Sequence, residues 1–171
     1  LPFPIAENLV LCTYYKEPFS NGIVLKYDKI LENGNKLVRD FDIRTPDALT
    51  SVGTLSGGNQ QKVIIARELS RPIKFLVASQ PTRGLDVGSI EYIHKQIVQK
   101  RDEGCGVLLV SPELDEIMEL SDRVAVMYRG KIISIVPNKG VSKEYVGCLM
   151  AGIIPEEFIP TDETSVVEAT F

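Results

Sequence analysis

Leu55-Ser56-Gly57-Gly58-Asn59-Gln60-Gln61-Lys62 is a small, polar, glycine-rich run that passes directly into the apolar-periodic stretch Val63 to Leu69. This junction constrains the chain more than any other feature, because it reads as a loop feeding the N-terminus of a helix. Ser56 is placed to act as N-cap, Gly57 and Gly58 let a ligand approach the backbone, and the first-turn N–H groups have no acceptor within the helix. An end of that kind attracts phosphate. A bare Ser-Gly-Gly is also satisfied by an ordinary capped helix whose glycines only shape the turn before it. The junction by itself leaves both readings open.

The flanking sequence supplies the frame. Ile5 to Leu11, then Tyr27, Ile30, Leu31, Leu37, Val38 and Phe41, repeat apolar residues at helical spacing on either side of a Pro18/Gly22 loop, so the first third is mostly helix. Thr45-Pro46-Asp47 has the form of N-cap, proline at N1 and an acid, which predicts a short helix before the glycine-rich run. Pro72 ends the following helix, and Ile73 to Ala78 is nearly continuously apolar, as in a strand covered on both faces. Asp86 then caps a helix with Val87, Ile90, Ile93 and Ile97 on one face. Gly106 to Val110 is a second buried strand, and Ser111 caps a helix carrying Leu114, Ile117 and Met118. Val124 to Tyr128 and Lys131 to Ile135 flank Arg129-Gly130 as a tight hairpin. Val141 to Met150 is a last helix, and Asp162 to Phe171 is a loose tail. The expected division is a helical subdomain over 1–70, part of an α/β sheet with mainly parallel strands over 71–150, and a tail over 151–171.

Composition narrows the classes. With 171 residues, 44% apolar and 25% charged, the chain can bury a core, and its net charge of −4 gives no basic excess for nucleic acid. Cys12, Cys105 and Cys148 lack metal-ligand spacing and point to a reducing cytoplasm. Neither a run of about 18 apolar residues nor a basic-then-apolar leader is present, so any membrane role is that of a docked subunit. Leu1 opens the chain in mid-element without methionine, as an excised piece of something longer would. His94, the only histidine, is expected at a surface or edge. Glu113, Asp115, Glu116 and Glu119 are expected to favour a helix start and not a metal.

The eight residues Leu55 to Lys62, with their continuation Val63 to Leu69, resemble the signature sequence of ABC transporter ATPases and the helix that follows it. The resemblance extends from Ala6-Glu7-Asn8 to about Val136. It implies a partial P-loop NTPase (RecA-like) sheet with an ABC-type helical subdomain, and ATP with Mg²⁺ as ligands of the full assembly. Leu55, Ser56, Gly57, Gly58, Gln60 and Asp86 are then the nucleotide-facing residues. The G-x-x-x-x-G-K-[ST] phosphate loop of that family is not in this sequence.

Three catalytic positions depart from the family. Val77-Ala78-Ser79-Gln80-Pro81-Thr82-Arg83-Gly84-Leu85-Asp86 matches its Walker B strand and D-loop, but Ser79 stands for the aspartate and Gln80 for the glutamate. A glutamine has no basic carboxylate, and losing a general base typically costs about 10²–10⁴ in rate. Where the family has a histidine after the next strand, this chain has Ser111-Pro112. In the family two modules face head to tail, each ATP lying between the Walker motifs of one and the signature of the other. The alterations would fall in one composite site and the intact signature in the opposite one. With Pro81 to Gly88, this asymmetry is similar to the second module of tandem ATPase subunits of simple-sugar and nucleoside importers, and the Ser79-Gln80 pair leans to the nucleoside branch. The implied partners are a second ATPase module, in the same chain or a dimer, transmembrane permease subunits and, indirectly, an extracellular solute-binding protein. The implied place is the cytoplasmic face of the membrane, and the piece alone is expected to be inactive. A soluble ABC-type ATPase and a non-catalytic interaction module with the same fold are the rival readings.

Overall fold

The structure is a computed structural model and describes residues 3–155. In chain order the elements are α1 (Ile5–Leu9), β1 (Ser20–Asn21), β2 (Val24–Leu25), α2 (Tyr27–Asp40), α3 (Gly57–Leu69), β3 (Phe75–Ser79), α4 (Val87–Asp102), β4 (Gly106–Val110), α5 (Leu114–Leu120), β5 (Arg123–Tyr128), β6 (Lys131–Pro137) and α6 (Lys143–Met150). The loose tail expected from Asp162 lies outside the described residues.

Contacts divide the described chain into two compact units, residues 3–76 with 81–108, and residues 77–80 with 109–155. This division does not run at residue 70. The chain passes from the first unit to the second within β3, returns after Gln80 and passes over again within β4.

In the first unit the helical spacing seen in the sequence becomes a core. Ile5 and Leu9 of α1, Leu37 of α2, Ile43, and Val63 and Ala66 of α3 are buried together, and Ala6, Val10, Ile30 and Ala48 extend the same interior. Thr45-Pro46-Asp47 does not start a helix. The Asp47 carboxylate accepts the N–H groups of Leu49 and Thr50 at 3.0 and 2.8 Å, closing a side-chain turn. The carbonyls of Ala48 and Thr50 are meanwhile taken by Ala6 N–H and Ile5 N–H, at 2.9 and 3.0 Å. These are orphan donors at the start of α1. Only a 3₁₀ turn, Val52–Thr54, precedes α3.

β3 and β4 pair as a two-stranded sheet. Gly106 N–H donates to Lys74 C=O and Gln80 N–H to Val110 C=O, so the strands run parallel, with α4 as the connection between them. Contrary to expectation, neither strand is covered on both faces. Alternate residues stay open, with Phe75 60%, Val77 58%, Leu108 49% and Val110 47% exposed. On α4, Ile93 and Ile97 are core, but Val87 at the first turn is 72% exposed and forms no part of it. His94 is 8% exposed, buried on α4 and not at an edge, because it lies one residue from Ile93 on the inward side.

In the second unit β5 and β6 form the expected antiparallel hairpin, with Arg123 opposite Pro137 and Tyr128 opposite Lys131. Arg129 and Gly130 both have positive φ, 49° and 79°, as a two-residue turn between twisted strands requires. Val124, Val126 and Val136 bury against Val146 and Leu149 of α6, whose N-cap Ser142 accepts Tyr145 N–H. Asn138 donates to the carbonyls of Met118 and Ser121, both at 2.7 Å, and so caps the end of α5. Asp115 pairs with Lys143, and Glu116 is buried.

The open apolar face of β3 and β4 has a measurable consequence, since exposed strands of that composition seek partners. The isolated chain is expected to self-associate in sedimentation velocity over a concentration series, and Val77→Lys with Leu108→Lys should return it towards monomer. A wild-type chain that stays monomeric at high concentration would contradict this.

Candidate functional site

The glycine-rich run forms the start of α3 as expected, but Ser56 performs a different task there. It occupies the N-cap position in extended conformation and makes no side-chain cap. Its Oγ instead accepts from Asn59 Nδ2 at 3.0 Å, while Asn59 Oδ1 accepts the backbone N–H of Arg44 at 2.9 Å. Asn59 thus competes for the hydroxyl that would otherwise turn back onto the first-turn N–H groups. Gln60 Nε2 donates to Leu55 C=O at 2.8 Å, which ties the loop to the first turn. Ser56 and Gly57 are exposed, and Leu55, Gly58 and Gln60 are half-buried.

Three contacts dock this end of α3 onto the 81–92 segment. Gln61 Nε2 donates to Pro81 C=O at 3.0 Å. Asp86 caps α4 as the sequence predicts, accepting Ser89 N–H at 3.0 Å and Ser89 Oγ at 2.9 Å. Those bonds, the backbone one first, hold its carboxyl below the usual carboxylate range. The capped pair then meets Gly58, where a Cβ would lie 2.5 Å from Ser89 Oγ and 3.3 Å from Asp86 Oδ2. At Gly57 a Cβ would meet nothing within 4 Å. The two glycines therefore differ: Gly58 is required by packing inside the chain, and Gly57 faces open space.

The third contact is Lys62, a buried lysine that the sequence reading passed over. Its ammonium sits 2.8 Å from both the carboxylate and the carbonyl of Asp42 and 4.6 Å from the centre of the Tyr92 ring. Lys62, chiefly through its hydrogen bond, lowers the Asp42 pKa. Burial, with the charges of Asp42 and Asp40, pushes the Tyr92 hydroxyl up to about 12. Asp42 holds φ of 47°, and the Lys62 bond to its carbonyl helps fix that left-handed residue. Arg44, Ser56, Asn59, Lys62, Asp86 and Tyr92 are among the residues lining a polar cavity of about 340 Å³ beside the helix start.

The remaining candidate positions belong to the other unit. Ser79 and Gln80 are exposed at the end of β3, and Gln80 N–H donates to Val110 C=O at 2.7 Å with φ of 48°. Ser111 does not cap α5, and Pro112 is not its first residue. The Ser111 Oγ accepts Glu113 N–H at 3.0 Å, closing a local turn, and the N-cap falls on Glu113. The chain thus brings Leu55, Ser56, Gly57, Gly58, Gln60 and Asp86 into one group, and Ser79, Gln80 and Pro112 lie outside it.

These groups can be tested against ATP and Mg²⁺. An exposed serine hydroxyl, an open glycine and helical N–H groups suit phosphate oxygens. Ser79 and Gln80 offer only neutral oxygens where a divalent cation favours carboxylate. No group of three or more His, Cys, Asp or Glu among the described residues is arranged for a metal. The residues present fit the phosphate end of a nucleotide and do not fit Mg²⁺.

Besides Lys62, the sequence reading missed Asn59, Ser89 and Arg44. A signal existed for Ser89 alone, three residues after a capping aspartate. The bond of Asn59 to Arg44 spans fifteen residues and has no local pattern.

No family model matches the chain. Among curated proteins it is 49% identical over 157 residues to the guanosine import ATP-binding protein NupO of Bacillus subtilis, covering 92% of this chain and 31% of that protein. It is 51% identical over 152 residues to the nucleoside import ATP-binding protein NupA of Lactococcus lactis, covering 89% and 30%. It is 36% identical over 159 residues to the ribose import ATP-binding protein RbsA of Hahella chejuensis, covering 92% and 31%. The chain therefore spans less than a third of the length of these relatives. Among solved structures it matches a dimeric ATP-binding cassette in a post-hydrolysis state bound to ADP and Pi, with TM-score 0.67 at 22% identity over 82% of this chain and 60% of the other. That likeness concerns the fold.

The unequal glycines predict unequal substitutions. Gly58→Ala should drive Ser89 Oγ off Asp86 and destabilise the chain by about 1–3 kcal/mol. Gly57→Ala should be neutral, or stabilising by up to about 1 kcal/mol. Thermal unfolding of the two variants measures this, and equal losses would mean that contact at Ser89 is not what requires Gly58.

Proposed function

Because the chain belongs to the ABC ATPase family and is homologous to a stretch of its nucleoside and sugar import ATP-binding proteins, we propose that it is the signature-bearing part of the second module of such a protein. The nucleotide of this reading is ATP. In this reading the module lends Ser56, Gly57 and the N-terminal amides of α3 to an ATP held by the phosphate loop of a facing module. Its own site, built around Ser79, Gln80 and Pro112, turns over poorly. The observation that carries the reading is the contrast between an open, intact helix start at Ser56-Gly57 and a strand end without a carboxylate at 79–80.

The chemistry follows from the groups present. Towards a phosphate oxygen, which only accepts, the serine hydroxyl and the preorganised N–H groups act as donors, and they stabilise negative charge that builds on a transferring phosphoryl group. They supply no nucleophile and no base. Mg²⁺, if used, is held by groups that the altered positions of this chain do not provide. The solute is proposed to be a nucleoside, because the two relatives near half identity carry guanosine import and nucleoside import in their names. The protein would work at the cytoplasmic face of the membrane beside permease subunits, with a solute-binding protein upstream. No helix among the described residues is long and apolar enough to cross a membrane.

The chain alone should bind Mg·ATP weakly, because a helix start contributes only about 0.3–1 kcal/mol per favourable charge interaction. Isothermal titration tests this, and micromolar affinity would overturn it.

In the full ATP-binding protein with its permease, Ser56→Arg or Gly57→Asp should abolish transport, whereas Gln80→Ala should keep most of the ATPase activity. Ser79→Asp with Gln80→Glu should raise turnover little, since Pro112 still leaves no histidine. Steady-state ATPase and uptake at matched expression decide the matter. Equal damage from Gln80→Ala and Gly57→Asp would sink the reading.

A further inference from the structure

We propose that Asn59 is a positioning residue that aims the Ser56 hydroxyl proton outward, at the phosphate of the facing nucleotide. This rests on the reading that Ser56 meets such a phosphate. Two bonds in series carry it. The backbone N–H of Arg44 can only donate, so the Asn59 atom 2.9 Å away is its carbonyl oxygen. The amide orientation is thereby set, and the nitrogen must face Ser56, which it does at 3.0 Å. A hydroxyl carries one proton. Ser56 Oγ is the acceptor in its bond with Asn59 and donates to no group among the described residues, so its own proton is left for a group outside the chain.

The relay is anchored in the core. Arg44 follows Ile43, which is 4% exposed and whose N–H donates to Val38 C=O at 2.9 Å. One residue earlier, Asp42 is held by Lys62 at two oxygens. The Arg44 N–H is therefore a fixed point, and Asn59 transfers that fixity to a serine that is exposed. An amide is suited to the position because it accepts at one atom and donates at the other. A carboxylate of the same shape would still accept from Arg44 but would also accept from Ser56, pulling the hydroxyl proton inward.

Asn59→Asp is thus a reversal of one hydrogen bond at nearly constant shape. In the full ATP-binding protein reconstituted with its permease, steady-state ATPase should fall about tenfold or more in kcat for Asn59→Asp, with KM for ATP changed less, as expected for a donor that acts in the transition state. Asn59→Ala frees the hydroxyl to rotate and should cost less, about two- to fivefold. In a Ser56→Ala background both substitutions should lose most of their effect, since the group they act through is gone. Thermal unfolding of each variant should stay near wild type. If Asn59→Asp and Asn59→Ala cost as much without the Ser56 hydroxyl as with it, Asn59 acts through charge or folding and the proposal is overturned. If Gly57→Asp abolishes ATPase in the same series, only the Asn59 proposal has failed. If Gly57→Asp and Ser56→Ala are both silent, the signature reading fails and this proposal with it.

Discussion

The contact of Gly58 with the Asp86–Ser89 cap is the constraint from which the rest of the site follows. It lets the start of α3 approach the start of α4 closely enough that a methyl group would collide with Ser89 Oγ. Two helix starts are thereby set side by side, each with unsatisfied first-turn N–H groups. At α4 the problem is solved internally, by the Asp86 carboxylate. At α3 no side chain does so, because Ser56 is engaged by Asn59. One helix start is closed and the other left open, and only the open one can serve a ligand.

Local signals in the sequence were reliable where the local interaction is also the one the fold uses. Asp86 as a cap, the Arg129-Gly130 turn and the apolar spacing of α2 all survive in the structure. They failed where a distant partner offered a better bond. Thr45-Pro46-Asp47 has the letters of a helix start, yet the carbonyls of Ala48 and Thr50 that follow it go to α1, more than forty residues earlier in the chain. Ser111 had the right type for a cap and spends its hydroxyl on a turn. Ser56 was expected at the right position with the wrong partner. Lys62 shows the same limit from the other side: a lysine in a polar run reads as solvated, and only the fold reveals Asp42 and Tyr92 around it.

The strands failed for another reason. Continuous apolar character at 73–78 implies cover on both faces, and Phe75 and Val77 remain exposed. Apolar composition describes the environment a strand is suited to, and nothing among the described residues supplies that environment on the open face of β3 and β4. The ABC family assignment makes sense of the mismatch, because the chain spans under a third of its relatives and a sheet is shared across a whole domain. The helix start at Ser56 depends on neighbours within the same unit, and so its geometry is complete here.

Gln80 illustrates how a backbone position can hold its structural task independently of the charge on its side chain. Its N–H bonds Val110 and its backbone is left-handed, and neither feature depends on the side-chain carboxylate. Glutamine has the volume of glutamate, so either residue suits the β3 end and its pairing with β4, and in the proposed reading the exchange removes the base alone. Asp86 is the opposite case. Its carboxylate is what holds Ser89, and Ser89 is what Gly58 packs against. In the proposed division of labour, the acid that shapes the signature end must stay an acid, whereas the acids of the chain's own catalytic site can be replaced at no cost to the fold. On that proposal, physical necessity falls on the residues that would serve the facing module, and the freedom to change falls on those that would serve this one.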